Sequence, residues 1–455
     1  MRDLVIGKKP ADRREISDID IAVPGDAGAV CREIASALNG AAFVLDRQRD
    51  VRRVSLPRGR STGGLHVDVS RMKGDGIFAD LAARDFTIDA MALPFPMPPD
   101  SRSDFAIIDP FGGLKDIQER LVRALSKNTL SDDPLRMLRA FRLANRLCFK
   151  IDGKTLRDIR ELAVLIEKIS PERVRDEIYI MLETTDSWRA FCAMSDAGIL
   201  ERILPETKPM RGLTQGGAHR YDLLVHSLKT MEYAEDVMRN TGKYFGARGA
   251  EVSSYLRGRI DENLTAAGMV KLTALLHDSG KPFAMFMDSG RVRFTGHDLR
   301  GAEINGTAAE RLKMSSKAKE MLFLTARHHM RPLHMTKEGI SRHAMYRYCR
   351  EMGAHLPASL VIALADAFAT REGPESVTTD IEGVTIAVSE YYYGEFLREA
   401  EAPLLRGQDL IDELKLPPGP MFSRLLEDVR DRRAKGAIKT RDEALEYVKK
   451  NLARK

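Results

Sequence analysis

The stretch Asp18-Ile19-Asp20-Ile21-Ala22-Val23 places two carboxylates one residue apart within an apolar run, after the turn-like sequence Gly7-Lys8-Lys9-Pro10. Side chains alternate along a β-strand, so Asp18 and Asp20 are expected on one face and the apolar side chains on the other. Two neighbouring acids repel each other unless a cation lies between them, and oxygen ligands suit Mg²⁺, which also binds substrate phosphates. The stretch therefore predicts a strand that carries a Mg²⁺ site for nucleotidyl transfer.

A third acid favours this hypothesis over its alternative, a pair of strand acids that merely face solvent. Asp68 lies in Leu65-His66-Val67-Asp68-Val69, which again alternates like a strand. Three carboxylates could hold one metal on the nucleotide phosphates and another on an attacking hydroxyl. We therefore predict Asp18, Asp20 and Asp68 as catalytic residues, with Asp18 and Asp20 as metal ligands.

Length and composition indicate the class of protein. With 455 residues, 43% of them hydrophobic and 30% charged, the chain is typical of a globular protein with several domains. No apolar run approaches the roughly 20 residues of a membrane span, the start lacks a secretory pattern, and the four cysteines form no CxxC pair. We therefore expect a cytoplasmic protein with no membrane partner. The net charge of +6 is compatible with a polyanionic partner.

The hydrophobic pattern changes along the chain. Before about residue 125, one amphipathic helix is predicted at 29–38, and strands surround it. The strand-like runs are 19–23, 42–45, 51–56, 65–69 and 105–108. From residue 133 the period is helical and stays so to the end. Stretches rich in Gly or Pro at 211–217 and 371–374 indicate boundaries.

Four arginines share one face of a predicted helix that begins near Ser131-Asp132-Asp133-Pro134. They are Arg136, Arg139, Arg142 and Arg146. One interpretation is a surface stripe that pairs with acids such as Asp158 or Glu172. The other is a face that meets a nucleotide and RNA, with Asp133 as acceptor and Arg136 as bidentate donor. Such a pair could imitate the Watson–Crick edge of a base.

A second candidate centre follows the apolar run 272–276. The adjacent His277 and Asp278 offer a nitrogen and an oxygen to one divalent metal ion. Seven of the ten histidines fall between residues 219 and 334, although a single buried histidine is more often a hydrogen-bonded core residue than a ligand. The predicted ligands are His277 and Asp278, with His226 upstream and Asp366 downstream to complete the shell.

Taken in their order along the chain, the motifs resemble those of the tRNA nucleotidyltransferases of the bacterial and eukaryotic class. That class comprises the CCA-adding enzymes and their relatives, the bacterial poly(A) polymerases. The resemblance runs nearly end to end. The matching stretches are Arg2-Asp3-Leu4 with Gly7 and Asp18-Ile19-Asp20, then residues 84–92, 109–116, 132–136 and 172–177. The resemblance implies template-independent transfer of CMP, with AMP left open, to the 3′ end of tRNA.

The resemblance also implies an α+β fold, in which a small polymerase-beta-type nucleotidyltransferase head precedes mostly α-helical neck, HD and tail domains. The positions His226, His277, Asp278 and Asp366 match the signature of an HD phosphohydrolase domain. The resemblance also implies His297 and His328 as metal ligands, with His329 as the alternative to His328, because two-metal members carry additional ligands there. The implied domains are a head at 1–125, a neck for nucleotide selection and RNA binding at 126–205, an HD domain at 206–372 and a tRNA-binding tail at 373–455.

Ligands and site residues follow from the same resemblance. Mg²⁺ is expected at the head and a divalent metal at the HD domain, and the expected partners are tRNA and CTP, with ATP left open. The second motif of the family contacts ribose and triphosphate, and a later motif selects the base. The implied nucleotide-binding residues are Arg2, Arg84, Asp85, Asp89, Asp132, Asp133, Arg136, Arg139 and Arg142.

Two departures from the family pattern concern the head and the base-selecting motif. The family normally carries a Gly-Gly pair just before the position of Arg2, where backbone N–H groups approach the triphosphate. Because the acids and arginines of the head are retained, we expect that pair upstream of Met1 rather than a crippled head. In addition, Asp132 and Asp89 replace the usual Glu and Asn, which changes how nucleotide preference is set.

A third departure is the short segment 69–83. In the family, a longer flexible segment helps the pocket to switch from C to A, and its shortening is associated with enzymes that add only CC. The sequence therefore favours a CC-adding enzyme with a separate A-adding partner. The alternatives are a bacterial poly(A) polymerase, an HD phosphohydrolase whose head only binds RNA, and a non-catalytic tRNA-binding protein.

Overall fold

The structure is a computed structural model that describes residues 2, 6, 18–47, 50–56, 65–95, 107–217, 220–371, 373 and 379–452. The chain forms two compact units, 1–168 and 169–455. The predicted turn at 7–10, two residues of the predicted strand 105–108 and part of the predicted boundary 371–374 lie outside the described residues.

A mixed four-stranded sheet begins the first unit. Strand β1 (Asp18–Val23) is parallel to β4 (His66–Arg71), and β4 is antiparallel to β3 (Val51–Ser55). At the far edge, β3 is antiparallel to β2 (Ala41–Asp46). Helix α1 (Ala27–Ala37) follows β1. These elements confirm the four strands and the helix that the sequence predicts here.

One face of this sheet packs against α1. The buried residues of that core are Ala27, Cys31, Ala35, Val54, Val67 and Val69. Because side chains alternate along a strand, the burial of Val67 and Val69 leaves Asp68 on the opposite face. The same pattern of apolar residues that forms the core therefore presents the acid on the face that α1 does not cover.

The rest of the first unit is mostly helical. The two-residue strands β5 (Leu121–Val122) and β6 (Lys150–Ile151) are parallel. Helix α5 buries Met137, Leu138 and Phe141, so its arginines lie on its less buried side. The helices are α2 (Ile77–Ala82), α3 (Gly113–Gln118), α4 (Lys127–Asp132), α5 (Leu135–Leu147) and α6 (Gly153–Leu162), with 3₁₀ turns at Thr87–Asp89 and Ala163–Lys168.

The second unit is helical apart from two short hairpins. One hairpin joins β7 (Arg259–Asp261) to β8 (Leu264–Thr265), and the other joins β9 (Phe286–Asp288) to β10 (Arg291–Arg293). The helices are α7 (Pro171–Leu182), α8 (Trp188–Asp196), α9 (Leu200–Ile203), α10 (Leu223–Arg239), α11 (Thr241–Phe245), α12 (Gly249–Arg257), α13 (Ala266–Leu276), α14 (Lys281–Ala284), α15 (His297–Arg311), α16 (Ser316–His328), α17 (Arg331–Glu338), α18 (Arg342–Met352), α19 (Leu356–Arg371), α20 (Thr379–Tyr391), α21 (Leu397–Glu401), α22 (Gly407–Asp412), α23 (Met421–Ala434) and α24 (Arg441–Leu452).

The last helices of the second unit share a separate small core. It is formed by Leu405, Leu410, Leu425, Val429, Ile438, Ala444, Leu445 and Val448. This cluster is compatible with a distinct tail, and the domain boundaries implied by the sequence stay predictions.

Among the described residues, one helical stretch, Arg342–Arg371, is long and apolar enough to cross a membrane by composition. However, 78% of its most apolar window is buried inside the protein. Leu360, Ile362 and Leu364 are among its buried side chains. Packing in the core accounts for its apolar composition.

Candidate active site and metal centre

The first candidate centre lies where β1 and β4 run side by side. Asp20 and Asp68 are register partners across these parallel strands, and Asp18 is the register partner of His66. The side chain of Asp18 lies outside the described part of the structure. Carboxylate oxygens on neighbouring strands are hard ligands of the type that Mg²⁺ prefers, so Asp20 and Asp68 fit the predicted metal.

An arginine that the sequence analysis did not single out pairs with the third acid, Asp68. Arg53 lies opposite Asp68 in the β3–β4 register, and its Nε and Nη2 donate to the two carboxylate oxygens, each at 2.7 Å. This bidentate fork is one of the stronger side-chain interactions available to a carboxylate. Arg53 therefore offsets the negative charge that gathers beside Asp20.

Replacing Arg53 by methionine is expected to destabilise the first unit when divalent metal is absent. The carboxylate of Asp68 is only 14% exposed, and leaving it without its fork costs about 1–3 kcal/mol. Added Mg²⁺ should recover part of that loss, because it supplies a new counter-ion. Urea unfolding with EDTA and with MgCl₂ measures both effects.

The control for this change is its strand neighbour. Arg52 pairs with Asp50, a 46% exposed acid, at 3.2 Å, and exposed pairs contribute about 0–1 kcal/mol. Arg52→Met should therefore change stability little, with no response to Mg²⁺. Equal losses in the two variants would contradict the role assigned to Arg53.

The predicted residues of the second motif form ion pairs. Arg84 Nη2 donates to Asp80 at 2.7 Å, one helical turn earlier, and Asp80 is buried. Arg2 Nη1 donates to Asp89 at 2.6 Å. Burial raises the pKa of Asp89, and Arg2 only partly offsets this effect. The spacing of Arg84 and Asp80 by four residues is a sequence signal that could have revealed their pair.

The arginine stripe of α5 has both polar and ionic partners within the first unit. Arg136 donates to the carbonyl of Thr129 at 3.1 Å, and Arg139 pairs with the buried Asp85 at 2.9 Å. Arg142 is half-buried, whereas Arg146 is exposed. The stripe therefore joins the second motif to the predicted base-selecting helix.

One detail differs from the sequence-based interpretation of this stripe. Asp158, proposed there as a partner of the stripe, pairs instead with Lys154 at 2.9 Å, because the two lie one turn apart on α6. At the start of α5, the Leu135 N–H donates to Asp133 at 3.3 Å, while Asp132 is exposed at the end of α4.

The second candidate centre lies in the second unit, where five helices contribute ligands. His226 comes from α10, His277 and Asp278 from the end of α13, and Asp366 from α19. The first turn of α15 supplies His297 and the end of α16 supplies His329. Two groups of these atoms each lie within 4.8 Å of one another, and Asp278 belongs to both.

Asp278 lies at the middle of this cluster. His277 Nε2 is 3.0 Å from its Oδ2, and His297 Nε2 and His329 Nε2 are 3.3 and 3.5 Å from its Oδ1. On the other side, His226 Nε2 is 3.0 Å from Asp366 Oδ1. Nitrogen and oxygen donors around shared carboxylates are the ligand set of a divalent transition metal.

The hydrogen bonds of the imidazole rings support metal binding. The Nδ1 atoms of His277, His297 and His329 lie 2.7–2.8 Å from the backbone carbonyls of Ala274, Phe294 and Ala326. Donation from Nδ1–H directs each Nε2 towards the cluster, which is how proteins orient metal-binding imidazoles. These Nε2 atoms and the Oδ1 of Asp278 are buried without a hydrogen-bond partner among the described residues. The donor set therefore fits a metal ion.

His329 takes the position that the sequence analysis assigned to His328. The Nδ1 of His328 lies 3.5 Å from Glu351, away from the two ligand groups. Burial lowers the pKa of His328. Consecutive residues of a helix point about 100° apart, so only one of the two histidines can face the centre. We therefore replace His328 by His329 in the proposed ligand set.

Lys281 is a further member that the sequence analysis did not single out. Its Nζ is 2.6 Å from Asp278 Oδ2 and donates to Gln215 at 2.7 Å, and the side chain is buried. The position three residues after Asp278 was the available signal, because residues that far apart share a helical face. Lys281 adds a fixed positive charge beside the carboxylate.

Burial and charge act in opposite directions on the pKa values of the cluster. Burial alone lowers the pKa of His277, but the carboxylates of Asp278 and Asp366 outweigh it and raise the pKa to about 10. Burial alone raises the pKa of Asp278, but His277 and Lys281 hold it well below its usual range. The carboxylates therefore stay ionised, as metal ligands must.

The metal-free protein is expected to lose stability as the pH rises. The folded pKa of His277 lies above its reference value of 6.5, so its contribution is fully present below pH 6.5 and is lost as the pH rises towards about 10. The melting temperature of EDTA-treated protein should fall by at least about 2 °C over that window. His277→Asn should flatten this part of the curve, and a parallel fall in both proteins would contradict the assignment.

Acids on adjacent strands of a small mixed sheet, followed by an arginine-rich helix, define a nucleotidyltransferase head. Comparison with known proteins agrees with this class. The family described as "Poly A polymerase head domain" matches residues 1–123. The family described as "Probable RNA and SrmB- binding site of polymerase A" matches residues 148–211.

Relatives of nearly full length identify the family. The A-adding tRNA nucleotidyltransferase of Deinococcus radiodurans is 31% identical over 95% of this chain and 91% of its own. The CC-adding tRNA nucleotidyltransferase of Geobacter sulfurreducens is 28% identical over 96% and 88%. The chain belongs to the tRNA nucleotidyltransferase family and is an enzyme. The fold agrees with the Thermotoga maritima CCA-adding enzyme complexed with tRNA, at a TM-score of 0.60, 20% identity and coverage of 99% and 89%.

Proposed function

We propose that this enzyme adds CMP to the 3′ end of tRNA and stops after CC. The segment between Asp68 and Arg84 carries this proposal. It consists of the end of β4, a turn at residues 72–76 and α2, and Asp80 accepts both the Lys73 N–H at 3.0 Å and the fork of Arg84. A short segment pinned at both ends by one buried carboxylate has little freedom to reshape a nucleotide pocket.

The residues of the head would divide the work of this reaction. The tRNA 3′ hydroxyl forms a bond to the α-phosphorus of CTP, and the bond to pyrophosphate breaks. Asp18, Asp20 and Asp68 would hold Mg²⁺, which supplies charge stabilisation when bound. Arg84 and Arg2 would neutralise the triphosphate.

The remaining nucleotide-binding residues would select and support the base. Asp133 and Arg136 present an acceptor and a bidentate donor near the start of α5. The Arg139–Asp85 pair would keep that helix in register with the second motif. The relatives support the general reaction, and because they include both A-adding and CC-adding enzymes, the stop after CC is the finer part of the proposal.

The test is extension of a tRNA that lacks its CCA end, with Mg²⁺ and single labelled nucleotides, read as product lengths on a gel. Two added C residues with no A would support the proposal. Addition of A, and only to a tRNA that already ends in CC, would instead identify an A-adding enzyme. Addition of the full CCA or of long A tails would refute the argument from the short segment.

We propose a second activity for the metal centre of the second unit, hydrolysis of a phosphoester. It is supported by the three buried Nε2 atoms and the Asp278 Oδ1, which have no hydrogen-bond partner among the described residues. A bound metal would lower the pKa of a water molecule to make a nucleophile. Metal analysis of the purified protein, with hydrolysis of bis(p-nitrophenyl) phosphate before and after chelation, tests it. Retained hydrolysis after complete removal of metal would contradict it.

A further inference from the structure

An exposed apolar surface, which we call the hairpin patch, lies on the segment from α14 to the first turn of α15, two elements that each contribute a member of the metal centre. Its residues are Phe283, Met285, Phe286, Met287 and Leu299, each between 45% and 65% exposed. Single exposed apolar residues are common, but five large ones within seventeen residues form a concentrated surface. Such a surface on a folded protein indicates an interaction site.

The hairpin patch is anchored beside the metal centre at both ends. Before the hairpin, Lys281 is 2.6 Å from Asp278, and after the hairpin, His297 Nε2 is 3.3 Å from the same carboxylate. Gly280 packs so closely on the first turn of α15 that a Cβ there would overlap the His297 carbonyl oxygen. This contact fixes the chain on both sides of the hairpin, so the patch borders the centre.

Arginines accompany these apolar side chains. The guanidinium of Arg300 lies 5.9 Å from the centre of the Phe283 ring. Arg291 is exposed and has no ion pair within the part of the chain that the structure describes. One nearby acid, Asp298, is already paired with Arg327. Arg300 also pairs with Glu303 at 3.0 Å, and Arg293 pairs with Asp288 at 3.6 Å. Arg291 therefore supplies the positive charge that lies beside the aromatic rings.

We propose that the hairpin patch binds the bases of single-stranded RNA and presents a phosphoester of that strand to the metal centre. Exposed rings that accept stacked bases, beside arginines that meet the phosphates, are how proteins hold single strands without reading sequence. A protein partner would use the apolar surface but has no need of Arg291. The proposal rests on the phosphohydrolase function proposed above, for which it names the substrate class.

Photo-crosslinking of the full-length protein tests the location. A single-stranded oligoribonucleotide that carries 4-thiouridine is irradiated with the protein, and the crosslinked peptide is identified by mass spectrometry. A crosslink within residues 281–300 is expected. Crosslinks confined to other parts of the chain would overturn the proposal.

Binding of a fluorescein-labelled oligoribonucleotide tests the energetics. Phe283→Ala is expected to weaken binding about tenfold, and Phe283→Ala with Arg291→Ala further, with a smaller salt dependence. The matched control is Ile340→Ala, which removes a 44% exposed apolar side chain between α17 and α18 and should leave binding unchanged. Equal affinities of Phe283→Ala and wild type would overturn the proposal.

Two further measurements separate RNA docking from the proposed hydrolysis and from self-association of the chain. If wild-type protein crosslinks at the hairpin but hydrolyses no phosphoester, the docking surface stands and the proposed hydrolysis fails. Sedimentation velocity tests the remaining candidate occupant of the hairpin patch, which is a second copy of the chain. A dimer that Phe283→Ala with Met287→Ala converts to monomer would overturn RNA docking.

Discussion

Replacing Asp20 by asparagine is expected to reduce CMP addition to tRNA on the order of 1,000-fold. Asp20 is the register partner of Asp68, and the amide keeps the size of the side chain while it removes the charge that would hold Mg²⁺. The loss should lie in the rate of the bound complex, with tRNA affinity nearly unchanged. Single-turnover extension assays and tRNA binding measure the two quantities.

The control for Asp20→Asn is an acid of the same unit that is not a proposed metal ligand. Asp75→Asn changes an exposed carboxylate in the turn at residues 72–76 and should leave extension near the wild-type rate. Metal bound in the second unit should be unaffected in both variants. An Asp20→Asn enzyme that keeps more than about a tenth of the wild-type rate would remove Asp20 from the proposed catalytic set.

Replacing Asp278 by asparagine is expected to weaken metal binding in the second unit by at least about 100-fold. Its two oxygens lie within 3.0–3.9 Å of the Nε2 atoms of His226, His277, His297 and His329, so both ligand groups lose their shared charge. Titration calorimetry and elemental analysis of the purified protein measure the affinity and the bound metal.

The same change should also lower stability. The buried Lys281 would keep its charge without a carboxylate partner, which costs about 3–5 kcal/mol in a buried pair. Extension of tRNA should persist, provided that the protein remains folded. Asp288→Asn, in the exposed strand β9, is the control. Wild-type metal content in Asp278→Asn would remove Asp278 from the proposed ligand set, and a wild-type protein that binds no divalent metal would make the cluster a hydrogen-bonded core.

The sequence predicted the head well because two independent signals agree there. The alternation in β1 and β4 places acids opposite a buried apolar face, and the structure confirms those strands and the helix α1. The spacing of the arginines on α5 likewise required only helical periodicity. The partners of these side chains were less accessible, because Arg53 and Asp85 approach their partners only through strand pairing and helix packing.

The sequence by itself determined which residue types could form each centre: the strand acids, the arginine stripe and the His277-Asp278 pair. Only the tertiary structure decided that Arg53 donates to both carboxylate oxygens of Asp68, that His329 faces the metal cluster in place of His328, and that Lys281 contacts that cluster. The physical reason is that local periodicity fixes the face on which a side chain lies. Packing of distant elements fixes what that face meets.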